Sequence, residues 1–392
     1  MPILPLPDPA LLVLIGPHDA QRSAWAKAHF AADEIVALAD CRRLVADEGE
    51  AAAAGREAVA LLDDLVARRL AVGSLTVVDA PHLTPGDRQP LVALAKRYHL
   101  LPVALVFGAP DPAALAREGF RRVLALDTAQ PVTLRREPLP PNRRDLSGPF
   151  DLIGDVHGCF DELLLLLEQL GYHLGERVTP PPGRTAVFVG DLVDRGPRAT
   201  AVLALVMGLA AESAALCVAG NHDNKLLRQM QGRHVHLTHG LAESVAQLAR
   251  ETPEFRARVL AFLGGLTSHY VLDSGRLVVA HGGLKESLHG RDDLAVREFS
   301  LYGATTGATD ALGLPVRLNW AADYHGAALV VYGHTPVAEP LWQNNTVNLD
   351  TGCVFGGRLS ALRYPERQIV AVPALRRYAE PRRPFLPSDS QG

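Results

Sequence analysis

The stretch TAVFVGDLVDRG (185–196) runs from a short apolar segment straight into a glycine, two aspartates and an arginine. A short apolar run bounded by a small residue reads as a buried strand. The glycine lets the backbone turn sharply where strand gives way to loop, so Asp191, Asp194 and Arg195 follow at once. One such cluster means little, because a glycine and an aspartate after a strand are more often a turn than a site. Here the pattern recurs. FDLIGDVHG brings Asp155 and His157, LCVAGNHDNK brings Asn221 and His222, RLVVAHGG brings His281, and LVVYGHTP brings His334. Strand-like runs that repeatedly end in carboxylate, amide or imidazole groups are not an accident of composition. Side chains just past several strand ends of one sheet can converge on one point.

Hard oxygen donors mixed with imidazoles suit a first-row divalent ion of intermediate character, Mn²⁺ first, with Fe²⁺, Ni²⁺ and Co²⁺ as alternatives. The donor set is too large for one ion and right for two. Asp155 and His157 are expected to hold one, Asn221, His281 and His334 the other, with Asp191 as the bridge. Two ions ~3.5–4 Å apart clamp the attacking and departing oxygens of an in-line phosphoryl displacement. His222 directly follows a ligand, so it can stand beside the metals and protonate the leaving oxygen, with Asp194 holding it in its protonated form. Arg195 offers a planar fork for phosphate oxygens.

In the order GDxHG, GDxVDRG, GNHD, H and GHTP, these motifs resemble the phosphoprotein-phosphatase branch of the binuclear metallophosphoesterases. The resemblance implies a calcineurin-like sandwich of two β-sheets flanked by helices. That family includes protein Ser/Thr phosphatases, dinucleoside tetraphosphate hydrolases and nucleic-acid end-healing enzymes, so the motifs alone name no substrate. The stretches RHVHLTHGLAE, LYGATTGATD and LDTGCVFGGRLSALRYPE look like the phosphatase module of bacterial polynucleotide kinase–phosphatase. That likeness implies hydrolysis of 2′,3′-cyclic, 2′- or 3′-phosphate ends of RNA, and an RNA ligase or other repair protein as partner. It also carries a functional role onto Asp350. The runner-up substrate is a dinucleoside tetraphosphate, and a non-enzymatic scaffold that recruits a ligase is the reading from another class. His234 and His236 alternate, as on one face of a polar strand. His239 and Lys225 stay open between phosphate pocket and surface. Cys159 and Cys353, beside motif residues, read as small packing residues.

The rest of the chain is a second α/β region. From 11 to 126, the runs LLVLI, LTVVD, PVALVF and RVLAL alternate with helical patterns such as GREAVALLDDLVARRLAVG, which argues for a parallel sheet with crossover helices. Its first turn, GPHDAQRS, has the outline of a phosphate-binding loop, with Gly16 and Ser23 in place but Gln21 for the second glycine and Arg22 for the lysine. The region is similar to the kinase module of the same repair enzyme. That family's aspartate base, three residues before an arginine, would fall on Ala39 before Arg42, and only Asp40 before Arg43 restores the spacing. Most of the family's arginine-bearing lid is also missing, so a degenerate P-loop kinase-like domain is expected at 1–128. A linker is expected at 129–149, the metallophosphoesterase at 150–373 and a poorly ordered tail at 374–392.

Length and composition agree. A chain of 392 residues suggests two or three domains, and 48% hydrophobic with 21% charged residues is ordinary for core-forming sequence. A net charge of −4 argues against coating nucleic acid by charge alone. The four cysteines are scattered without a C-x-x-C pair, which fits a reducing compartment. The apolar start lacks a basic n-region and is broken by prolines and Asp8, so the cytoplasm is expected. Oligomeric state stays open.

Overall fold

The computed structural model describes residues 2–17, 19–46, 55–82, 84–127, 131–310 and 313–385. The chain divides into two units, Met1–Leu139 with Arg291–Asp293, and Pro140–Gly290 with Leu294–Gly392.

In the first unit the elements run β1 (Ile3–Asp8), β2 (Ala10–Ile15), α1 (Asp19–His29), β3 (Ile35–Ala37), α2 (Leu38–Val45), α3 (Gly55–Ala71), β4 (Thr76–Asp79), α4 (Pro85–Arg97), β5 (Leu101–Phe107), α5 (Pro112–Glu118), β6 (Arg122–Leu126) and β7 (Thr133–Pro138). The five-stranded sheet has the order β3-β4-β2-β5-β6 and every pairing is parallel. Every residue of β2 is buried, as a central strand covered on both faces requires, and its sequence ALLVLI is accordingly apolar throughout. α3 buries Ala58, Leu62, Val66 and Leu70, a stripe at i, i+4 spacing. Thr84 and Asp87 cap α4 reciprocally, since the Thr84 N–H donates to the Asp87 carboxylate (2.9 Å) and the Asp87 N–H to Thr84 Oγ1 (3.3 Å).

One expectation needs correction here. Part of the segment 129–149, read as a linker, is β7, which pairs in parallel with β1. Its side chains are mostly exposed, so it shows no hydrophobic periodicity, and backbone bonding with the Glu34–Arg136 fork (2.6 and 2.7 Å) orders it instead. Residues 129 and 130 lie outside the described residues.

The second unit opens with β8 (Phe150–Ile153), α6 (Phe160–Gln169), the small hairpin β9 (His173–Leu174) and β10 (Val178–Thr179), β11 (Thr185–Phe188), α7 (Ala199–Ala211) and β12 (Ala215–Cys217). It continues with α8 (Asn221–Met230), α9 (Leu241–Ala249), α10 (Pro253–Gly265), β13 (His269–Leu272), β14 (Leu277–Ala280), α11 (Leu294–Tyr302), and the hairpin β15 (Thr305–Thr309) and β16 (Pro315–Arg317). It ends with β17 (Leu329–Tyr332), β18 (Leu341–Gln343), β19 (Thr346–Asn348), β20 (Arg358–Tyr364) and β21 (Gln368–Pro373). Two five-stranded sheets result, β12-β11-β8-β20-β21 and β13-β14-β17-β19-β18. Strand alternation decides what goes where. Leu152 and Val187 enter the core shared by the two sheets with Val279, Val331 and Val347, whereas Ile153 and Phe188 turn to the helix-covered side.

Two further differences bear on function. The runs that end in metal-ligand residue types do not belong to one sheet, because β8, β11 and β12 lie in one and β14 and β17 in the other. The tail is also anchored as far as residue 385. The Leu375 N–H and the Tyr378 hydroxyl both donate to Glu162 Oε1 (2.9 and 2.8 Å), and Phe385 packs on Phe355. Proline and arginine dominate its composition and hide these anchors, while 386–392 lie outside the described residues. Among the described residues no helix is long and apolar enough to cross a membrane.

Candidate metal centre

Asp155 and His157 stand just beyond β8, Asp191 and Asp194 beyond β11, and Asn221 and His222 open α8 directly after β12. His281 follows β14, His334 follows β17, and Asp350 follows β19. The backbone is strained where these groups sit. His157, Asp191, Asp194, Arg195 and His334 all have positive φ, between 45° and 74°. Such values are uncommon outside glycine and gather at functional sites. Gly220 shows how tight the approach is, since a Cβ there would come 2.1 Å from the Asp191 nitrogen.

The side chains converge around Asp191. Its Oδ2 lies 3.5 Å from His157 Nε2 and 3.4 Å from His281 Nε2, and its Oδ1 accepts from the His222 N–H (2.9 Å). His281 Nε2 is in turn 2.9 Å from Asn221 Oδ1 and 3.0 Å from His334 Nδ1. Asp155 Oδ2 accepts from the His334 N–H (3.1 Å), while its Oδ1 is buried and unpartnered. His157, Asp191 and His222 form one group able to hold a metal ion, and Asp191, His281 and His334 form another, with Asp191 in both.

The hydrogen bonds fix the imidazole tautomers. His281 Nδ1–H donates to the Val189 carbonyl (3.1 Å) and His157 Nδ1–H to the Val193 carbonyl (2.8 Å). Both Nε2 atoms therefore present lone pairs inward, the usual arrangement of a metal-ligating histidine with an outer partner. His281 Nε2 then faces a carboxylate oxygen and an amide oxygen, with no donor among them. Lone pairs collected in this way fit a cation. Burial holds the imidazoles neutral, pushing His281 down to about 3 and His157 and His334 well below the usual range. Burial also raises the carboxyls, Asp350 to about 6 and Asp155 and Asp191 well above the usual carboxylate range, with Asp350 the next cause at Asp155 and Asp223 at Asp191. A divalent cation inverts that balance and keeps carboxylates ionised.

Around the cluster stand the other expected groups. His222 Nδ1–H donates to Asp194 Oδ2 (2.7 Å), and burial raises Asp194 to about 6. Arg195 Nη1 donates to His157 Nε2 (2.7 Å), and its guanidinium lies 5.1 Å from the Phe355 ring. Asp350 Oδ1 accepts from the Gly352 N–H (3.1 Å). Two supporting residues escaped the sequence reading. Asp223 accepts from the Leu192 and Gly220 N–H groups (3.0 and 3.1 Å), and Ser244 Oγ accepts from the Asp194 N–H (3.0 Å). Asp223 was visible as the last letter of GNHD, but Ser244 carries no local signal.

HVHLTHG is irregular rather than a strand, and the His234 and His236 rings meet edge to face at 5.6 Å. The Cys159 and Cys353 sulfurs are buried close to each other and to the Glu162 carboxylate.

The GPHDAQRS turn is arranged differently from a phosphate-binding loop. α1 begins at Asp19, so Gln21 and Arg22 already lie in its first turn. All three Arg22 guanidinium nitrogens are engaged, Nε with Asp79 Oδ1 (2.7 Å), Nη1 with the Gly16 carbonyl (2.8 Å) and Nη2 with Asp19 Oδ1 (2.8 Å). Ser23 Oγ donates to the other Asp79 oxygen. Asp40 is paired with Arg43 on exposed α2. His18 lies outside the described residues.

Residues 148–338 match the family described as calcineurin-like phosphoesterase, and residues 11–130 match an AAA domain. The bis(5′-nucleosyl)-tetraphosphatase PrpE (asymmetrical) of Anoxybacillus flavithermus is 47% identical over 243 residues, 60% of this chain and 99% of that protein. Its namesake from Bacillus subtilis is 42% identical over 238 residues, 59% of this chain and 98% of its own. These relatives cover only the phosphatase part.

Proposed function

The chain belongs to the calcineurin-like phosphoesterase family, and from that premise we propose that it hydrolyses nucleotide phosphoesters, with bis(5′-nucleosyl) tetraphosphates as first substrates. The observation that carries the reading is the place of Asp191 Oδ2, 3.5 Å from His157 Nε2 and 3.4 Å from His281 Nε2. Asp155 and His157 would hold one divalent cation, Asn221, His281 and His334 a second, with Asp191 shared and Mn²⁺ the first ion to test. When bound, the pair supplies Lewis acidity at the phosphoryl group and a nucleophile at neutral pH.

The chain's own residues do the rest. Arg195, whose Nη1 donates to His157 Nε2 in this structure, would be released when a cation takes that lone pair, and its planar fork would then orient phosphate oxygens for in-line attack. His222, with Nδ1–H committed to Asp194, presents Nε2 to the leaving oxygen and would hand it a proton from its doubly protonated form, which burial and Arg195 disfavour in the metal-free chain and the Asp194 carboxylate supports. Asp350, held by the Gly352 N–H, stands next to Asp155 and helps set the charge of the centre. The names of the relatives favour a tetraphosphate substrate. RNA with 2′,3′-cyclic or 3′-phosphate ends is the second reading, favoured by the AAA-like region at 11–130.

A substrate panel with Mn²⁺ decides between them. Diadenosine tetraphosphate is expected to give the highest kcat/KM, ahead of RNA 2′,3′-cyclic and 3′-phosphate ends and of a phosphoprotein. Asp191→Ala should abolish every activity. RNA ends cleaved more than about tenfold faster, a difference of about 1.4 kcal/mol in the barrier, would replace the first reading with the second.

A further inference from the structure

The opening of the metal centre carries cations for which the chemistry above has no task. β16 ends on Arg317, whose Nη1 donates to the Tyr302 carbonyl (3.2 Å), and the Tyr302 ring centre lies 6.4 Å from that of His334. The carbonyl that Arg317 holds is itself close to the cluster, since a Cβ on Gly282, next to His281, would come 3.1 Å from the Tyr302 carbonyl carbon. Arg383 reaches the same hairpin from the C-terminal segment, pairing with Asp310 and donating to the Pro315 carbonyl (3.5 Å). That segment is held in place. The Tyr378 and Ala379 N–H groups donate to the Val354 carbonyl (3.0 Å each), and Phe385 lies so close to Gly352 that a Cβ there would come 2.4 Å from its ring.

Elsewhere near the centre, Lys225 on α8, the helix that carries Asn221 and His222, donates from Nζ to the carbonyl and the hydroxyl of Thr238 (3.0 Å each), beside His239. Burial lowers the proton affinity of His239, and the positive charges of Arg382, Lys225 and Arg195 lower it further. Arg317 is likewise pushed down by burial and by Arg383. Cations gathered this way raise the local concentration of anions and bind them best when several phosphates arrive together.

Resting on the nucleotide reading above, we infer that Arg317, with Arg383 behind it, forms a specificity-determining subsite for the phosphates of a polyphosphate chain beyond the one attacked. A guanidinium fork matches two phosphate oxygens at once, and the exposed hairpin leaves room for the chain. A substrate with a single phosphate reaches the metal centre and Arg195 but not Arg317. The subsite thereby distinguishes nucleoside polyphosphates from simple phosphomonoesters, whichever bond is cut.

The test compares AMP with β,γ-methylene ATP as competitors of p-nitrophenyl phosphate hydrolysis at fixed free Mn²⁺, with titration calorimetry of both. The parent protein is expected to bind the triphosphate analogue about tenfold or more tighter than AMP. Arg317→Ala should lose most of that ratio, Arg317→Lys should restore part, and Arg383→Ala should move the ratio the same way. A parent that binds both equally, or a ratio unchanged in Arg317→Ala and Arg383→Ala, overturns the subsite. A protein that ignores diadenosine tetraphosphate yet loses the ratio on substitution would remove the substrate reading and leave the subsite standing.

Discussion

His222 is gripped at two points, its ring by Asp194 Oδ2 (2.7 Å) and its backbone N–H by Asp191 Oδ1 (2.9 Å). Only Nε2 is left to meet substrate. Replacing the residue with alanine removes a proton donor but none of the groups expected to hold both ions. His222→Ala should therefore keep about two metal ions per chain by elemental analysis. It should slow a ribose 3′-phosphate by about 10²–10⁴ and a nitrophenyl phosphate far less, because nitrophenolate departs without a proton. Equal losses on the two substrates would take His222 out of that role. At this scale the sequence was highly legible. Each expected ligand follows a strand within a few residues, so the motif spelled out where each would stand. Ser244, Arg317 and Arg383 were illegible because their partners are 50 residues or more away, or are backbone carbonyls, which leave no letter in the sequence.

At the level of elements, the carboxyls are delivered by different strands, Asp155 after β8, Asp191 after β11 and Asp350 after β19, and the fold presses them together out of water. Their ordinary value is 3.8, whereas in the folded chain Asp350 rises to about 6 and burial raises Asp155 and Asp191 as well. Between those values the folded state holds more protons than the unfolded one, so stability falls as pH rises. With metal removed, the protein should lose stability as pH rises from about 4 through 6. Cations that keep these groups ionised should stabilise it more at pH 7 than at pH 5. Thermal unfolding in chelator and in Mn²⁺ at the two pH values measures this, and an equal gain at both would mean the cations do not neutralise these carboxyls. Element by element, helical patterns such as GREAVALLDDLVARRLAVG read directly as α3. What composition could not show was pairing. β7 looks like a linker because its side chains face solvent, and only its register with β1 makes it a strand. The division of the site strands between two sheets is likewise a property of topology rather than of any one run. The family resemblance implied it, and spacing did not.

For the whole molecule, the question is why a nucleotide-kinase-like unit accompanies a phosphatase. That likeness weighted the sequence reading toward RNA, whereas the named relatives of the phosphatase part match the runner-up substrate. The N-terminal unit itself looks closed to ATP. A phosphate-binding loop works because unpaired N–H groups and a mobile cation wait for the β- and γ-phosphates. Here Arg22 is 3% exposed and spends its nitrogens on Asp79, Gly16 and Asp19. Ser23 and Asp79, the pair that would otherwise meet a magnesium ion, are bonded to each other. Asp19 places a negative charge at the helix N-terminus, where a phosphate would need the positive end of the dipole. To bind ATP, the unit would have to break a buried ion pair and leave Asp79 uncompensated, a loss of about 3–5 kcal/mol. We therefore expect no 5′-OH polynucleotide kinase activity and no rise in melting temperature with Mg²⁺–ATP attributable to this unit. Transfer of labelled γ-phosphate from ATP to a 5′-OH oligonucleotide measures the first directly. Label transferred by the parent and by Asp191→Ala but lost in Ser23→Ala would show that the Arg22–Asp79 lock opens.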